Sequence, residues 1–111
     1  MAQQRPESAA RGLYQVGLPE GIGGRLTRRD FGERLTVYYV SRIDQIYFKV
    51  FAAVDSGPGR HVDDLMELRP SPDEIEKAAL WAMTHDQSVG FRMVLVSMLR
   101  QMGFKDVAER I

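Results

Sequence analysis

The chain has 111 residues, with fifteen lysines and arginines against fifteen aspartates and glutamates, and no cysteine. That length suits one folded unit with a core of its own. Balanced charge argues against a nonspecific nucleic-acid binder, and the lack of cysteine excludes disulfides, thiolate metal sites and cysteine nucleophiles together.

The first residues, MAQQRPESAARG, are polar and aperiodic and lack the apolar core of a secretory signal. We read 1–12 as a flexible leader and 13–111 as a single helical domain with a short β element. No apolar run approaches the ~20 residues of a membrane span. The expectation is a soluble, cytoplasmic protein with no membrane association.

From Leu13 to Leu26, Gly17, Pro19, Gly21, Gly23 and Gly24 interrupt a few apolar residues. GIGG has no Walker lysine after it and reads as plain turns, not a phosphate loop. Arg25, Arg28, Arg29 and Arg34 alternate with Asp30 and Glu33, a pattern of solvated, self-compensated surface. Leu35 to Val40, LTVYYV, is β-branched and aromatic and is the best strand in the sequence. A strand needs a partner, which the sequence leaves open: residues 22–27, a second copy of the chain, or a missing domain.

Ser41 caps the next segment, where Ile43, Ile46, Tyr47, Val50 and Val54 recur at helical spacing. Phe48 and Phe51 lie off that stripe, so this helix is apolar over most of its circumference and belongs at the centre of the fold. Arg42, Gln45, Lys49 and Ser56 form a polar seam along one flank. After the turn SGPGR, Val62, Leu65, Met66 and Leu68 give a second helix its apolar side, and Arg69-Pro70 ends it. Ser71-Pro72-Asp73-Glu74 is a capping box that opens a third helix, with Ile75, Ala78, Ala79, Ala82 and Met83 inward and Trp81 off the stripe. Ser88 caps a fourth, with Phe91, Val94, Leu95, Met98, Leu99 and Met102 inward. Gly103 stops it, and Val107 and Ile111 return to the core from a short last helix. The expected class is mainly α with a small N-terminal β element (α+β): a four-to-five-helix bundle after one or two strands.

Little in the sequence has the spacing that chemistry demands. The methionines at 83, 93, 98 and 102 read as core. His61 with Asp63 and Asp64, and His85 with Asp86, match no zinc spacing, so no metal site is expected. Adjacent Asp63 and Asp64 diverge by ~100° on a helix and cannot converge on shared metals. What remains is Lys49 with Asp64: either an ammonium and carboxylate for a nucleotide, or a solvated lysine and an aspartate favoured by a helix N-terminus. The residues alone favour the second.

The run from Ser41 through Lys49 to Ala52, Ala53 and Asp55, followed by His61-x-x-Asp64-Leu65, resembles the C-terminal portion of bacterial nucleotidyltransferase-like proteins related to the AbiE-type abortive-infection toxins. Leu18-Pro19-Glu20-Gly21, with Arg25-Leu26, is similar to the segment just upstream, so the resemblance spans residues 18–111. It implies kinship with toxin–antitoxin systems and places Lys49 and Asp64 at the family's nucleotide-site lysine and aspartate. The Gly-Ser turn and Asp-x-Asp metal pair of those enzymes are missing. Without those carboxylates no Mg²⁺ is held to neutralise a triphosphate.

Two functions are therefore expected. One is a nucleotidyltransferase-like helical module, noncatalytic alone, that completes a nucleotide site with a protein partner, with Mg²⁺ as cofactor only in that completed site. The other is a helical protein-interaction or homodimerisation module with no nucleotide role, with Phe48, Phe51 or Trp81 at the contact.

Overall fold

The computed structural model describes residues 17–57 and 59–111, so the leader 1–12 and the residues Leu13, Tyr14 and Val16 lie outside the described residues. In chain order the elements are α1 (Ile22–Arg25), β1 (Thr27–Asp30), β2 (Thr36–Tyr39), α2 (Arg42–Asp55), α3 (Arg60–Glu67), α4 (Pro72–His85), α5 (Val89–Gln101) and α6 (Lys105–Arg110). This is a mainly α protein with a small antiparallel β element ahead of its five longer helices.

The helix ends follow from local chemistry. Ser41, Ser71 and Ser88 each accept the amide of the residue three positions on, satisfying donors that a first turn leaves unpaired. At Ser71 the box closes reciprocally, because Glu74 Oε1 also accepts the Ser71 amide at 2.9 Å. At the end of α5, Gly103 takes φ +96 and lets the Phe104 amide reach back to the Leu99 carbonyl at 2.8 Å. That turn returns Val107, Ala108 and Ile111 to the core.

The core is where the apolar stripes meet. Ile46, Val50, Ala53 and Val54 of α2 pack with Leu65 of α3, with Ile75, Ala78, Ala79 and Ala82 of α4, and with Phe91, Leu95, Met98 and Leu99 of α5. Helix α2 touches α3, α4 and α5, and the alanines of α4 give it its most extensive contact. Three residues read as inward differ. Met66, Val94 and Met93 are 43%, 43% and 65% exposed, because α3 and α5 carry more apolar surface than the described neighbours cover.

The β element also differs in part from expectation. The partner of β2 is β1, four residues of the arginine-rich stretch read as surface, in the register Thr27↔Tyr39, Arg28↔Tyr38, Arg29↔Val37 and Asp30↔Thr36. All of β1 is exposed, so burial imposes no alternation on TRRD and periodicity carries no strand signal there. Within the GIGG stretch, Ile22–Arg25 forms one helical turn, not a plain turn. The two strands touch mainly each other.

Candidate functional site

Lys49 and Asp64 do meet. Halfway along α2, Lys49 reaches across to the middle of α3, where its Nζ donates to Asp64 Oδ2 at 2.8 Å. The pair is part-buried, with side chains 32% and 37% exposed. The hydrogen bond from Lys49 holds the Asp64 carboxyl below its usual range, with burial opposing and the charges of Lys49, Arg60 and His61 assisting. Each group thus already has a counterion. Asp63 points elsewhere, lining a cleft of about 440 Å³ with Val62, Met66 and Met98. His61 Nδ1 is shielded and has no hydrogen-bond partner among the described residues. Among the described residues no group of three His, Asp or Glu side chains is placed to hold a metal ion.

Trp81 gathers the other sequence-predicted residues. Its ring stacks on Tyr47 at 5.6 Å between centroids and takes Phe48, Phe51 and His85 edge-on at 6.0, 6.2 and 5.0 Å. Phe51 continues the series to Phe91 at 5.6 Å, so aromatic contacts tie α2 to both α4 and α5. Phe48, Phe51 and Trp81 are therefore half-buried against one another. Trp81 Nε1 has no partner inside this cluster. His85 in turn sits so close to Gly17 that a Cβ there would lie 2.7 Å from its ring.

The most deeply buried charge was not singled out from the sequence. Asp44 is fully buried, and both its oxygens bind the Arg25 guanidinium, at 2.6 and 2.8 Å. Ser41 Oγ adds a third bond at 2.6 Å. Burial pushes the Asp44 carboxyl up, but the hydrogen bonds from Arg25 and Ser41 and the charge of Arg25 outweigh it and hold the group below its usual range. This pair fastens the N-terminal segment to α2. The sequence signal was Ser41-x-x-Asp44, a box-like spacing at a helix start; its distant partner Arg25 had none. Arg42 has a related role, donating to the Leu68 and Arg69 carbonyls and to both oxygens of Glu74. Beside it lies a cleft of about 570 Å³, lined by Glu20, Arg25, Tyr47, Glu74, Lys77 and Trp81, in which Arg25, Glu74 and Lys77 are already paired with Asp44, Arg42 and Asp73.

The largest apolar exposure lies apart from all of these. On α5, Val89 and Met93 are 74% and 65% exposed beside a cleft of about 710 Å³. On the hairpin, Phe31, Leu35, Tyr38 and Tyr39 are 50%, 53%, 57% and 46% exposed. No helix among the described residues is long and apolar enough to cross a membrane. Comparison of the chain with protein-family models, curated proteins and solved structures returns no match.

Proposed function

We propose that this chain is a noncatalytic interaction module that works by protein–protein assembly. The observation that carries the reading is the apolar and aromatic surface left outside the core on a two-stranded hairpin, where Phe31, Leu35, Tyr38 and Tyr39 stand roughly half in solvent. Two strands alone are marginal in water, and an exposed patch such as Phe31, Leu35 and Tyr39 form on one face is normally covered by something. The internally paired Lys49 and Asp64 favour the same reading, since a nucleotide would have to displace an existing contact to engage the lysine.

A second reading is favoured by the 2.8 Å contact between Lys49 and Asp64, two positions 15 residues apart that the resemblance to nucleotidyltransferase-like proteins had already paired. In that reading the chain lends them to a nucleotide site whose Mg²⁺-binding carboxylates come from a partner. One experiment separates the two: titration of Mg-ATP and Mg-CTP followed by amide NMR, with the solution mass measured in parallel. The interaction reading expects a mass above that of one chain and no movement of resonances at millimolar nucleotide. A monomer whose shifts cluster around Lys49 and Asp64, and vanish in Lys49→Ala, overturns it in favour of the second.

A further inference from the structure

Both edges of the hairpin are open among the described residues, but they are not equivalent. Strand β1 consists of Thr27, Arg28, Arg29 and Asp30, whereas β2, Thr36-Val37-Tyr38-Tyr39, has no charge. The Phe31 amide donates to the Leu35 carbonyl at 2.7 Å, which fixes the alternation. Leu35, Val37 and Tyr39 turn their backbone groups toward β1, and Thr36 and Tyr38 turn theirs to the free edge. On the side chains' side, Phe31, Leu35, Val37 and Tyr39 share one face with their β1 partners Arg29 and Thr27. Asp30 on the other face accepts from Arg28 Nε at 3.1 Å and Thr36 Oγ1 at 2.9 Å.

We infer that the β2 edge is a homodimerisation site, at which two copies of this chain join their hairpins into one four-stranded antiparallel sheet. Charge and register select both the edge and the occupant. Twofold pairing of β1 with itself centred on Arg28, Arg29 or Asp30 sets that residue directly opposite its own copy; the Arg29-centred register also sets Arg28 opposite Asp30, but each of the three keeps a like-charge contact that β2 lacks. Pairing β2 with itself sets no like charges opposite. The outward backbone groups allow a twofold through Val37, at which Thr36 of each copy exchanges hydrogen bonds with Tyr38 of the other. Val37 then faces Val37 in the close, non-hydrogen-bonded position, and Leu35 faces Tyr39 on the same side, so the exposed apolar face becomes continuous across the dimer. A register one pair further along would draw on the Val40 carbonyl, which already accepts from Gln45 Nε2 at 3.0 Å.

This inference rests on the interaction reading and adds to it the surface and the partner. The test uses the full chain, with sedimentation equilibrium and amide hydrogen exchange over a range of concentrations. A dimer is expected, with the Thr36 and Tyr38 amides slowing as concentration rises. Val37→Lys and Val37→Glu should each raise the dissociation constant about tenfold or more by opposing like charges, and an equimolar mixture of the two should restore the dimer. Tyr38→Pro should also yield monomer, and because the Tyr38 amide points away from β1, it leaves the hairpin ladder intact. A dimer indifferent to Val37→Lys and Tyr38→Pro would sink the edge while leaving the interaction reading standing, with α5 as the remaining surface. A monomer at every concentration also overturns the inference, as do Thr36 and Tyr38 amides protected independently of concentration, which would place residues 1–16 of the same chain on the edge. So does open-ended growth. A monomer also fails the mass that the interaction reading expects, whereas loss of the edge alone does not; the nucleotide titration tests that reading apart from the edge.

Discussion

Asp44 shows how a single residue's burial sets the terms of its replacement. A carboxylate with no solvent contact is tolerated because Arg25 meets it with both prongs of its guanidinium and Ser41 supplies a third bond. Asp44→Asn removes the charge but keeps the shape, and should cost about 2 kcal/mol in chemical denaturation. Arg25→Met should cost more, because it strands a charged group in the interior, whereas Arg25 is itself part-exposed and survives loss of its partner more easily. The double variant Arg25→Met/Asp44→Asn should recover part of that loss; a double variant worse than Arg25→Met would show that the pair is not what fastens the N-terminal segment. In the sequence the Ser41-x-x-Asp44 spacing marks the start of a helix, but nothing there points to the burial of the carboxylate or to Arg25 as its partner.

At the scale of elements, two glycines of α5 and its end predict opposite outcomes for one substitution. Gly90 lies in the first turn of α5 with open space around its Cβ position, so Gly90→Ala should stabilise by about 0.5–1 kcal/mol through helix propensity. Gly103 sits at φ +96, where an L side chain is strained, so Gly103→Ala should destabilise by about 1 kcal/mol and loosen the return of α6 to the core. Thermal melts of the two variants decide it, and shifts of the same sign would contradict the assigned end of α5. Trp81 is the corresponding hub of aromatic packing. Trp81→Ala should cost about 2–3 kcal/mol and remove the indole's ring-current shifts from the ring protons of Tyr47, Phe48 and Phe51, whereas Trp81→Phe should retain most of the stability. Helix boundaries were legible here because serine caps and a C-terminal glycine act within one turn of where they stand.

For the whole molecule, acid stability reports on the bonds that join elements far apart in sequence. The Arg42 guanidinium, together with the Ser71 amide, holds the Glu74 carboxyl down to about 2. A group depressed in the folded state binds its proton more readily when unfolded, so its contribution is complete above about pH 4.5, the ordinary glutamate range, and is lost as pH falls toward about 2. Asp44 is depressed as well and acts in the same direction. Denaturation midpoints should therefore decline between about pH 4.5 and about 2, and Glu74→Gln should flatten that decline. A variant with an unchanged slope would remove Glu74 from the account. Glu74→Gln also loosens three segments at once, since Arg42 of α2 binds the Leu68 and Arg69 carbonyls just after α3 as well as Glu74 at the start of α4.

By itself the sequence determined the mainly α class, the serine-capped starts of α2, α4 and α5, the glycine stop after α5, and nearly all of the core. These depend on local stereochemistry and on the apolar period of a helix, both written in neighbouring residues. Only the tertiary structure decided that TRRD is a strand, that Arg25 meets Asp44, that Lys49 and Asp64 neutralise each other, and that Met66, Met93 and Val94 are left outside. Those outcomes depend on which surfaces come together from segments far apart in sequence, and a stripe of apolar residues says that a face prefers burial without saying whether this chain has anything to bury it against. On the hairpin the same imbalance shows as an uncharged β2 beside a charged β1, with Leu35 and Tyr39 about half exposed on one face of it.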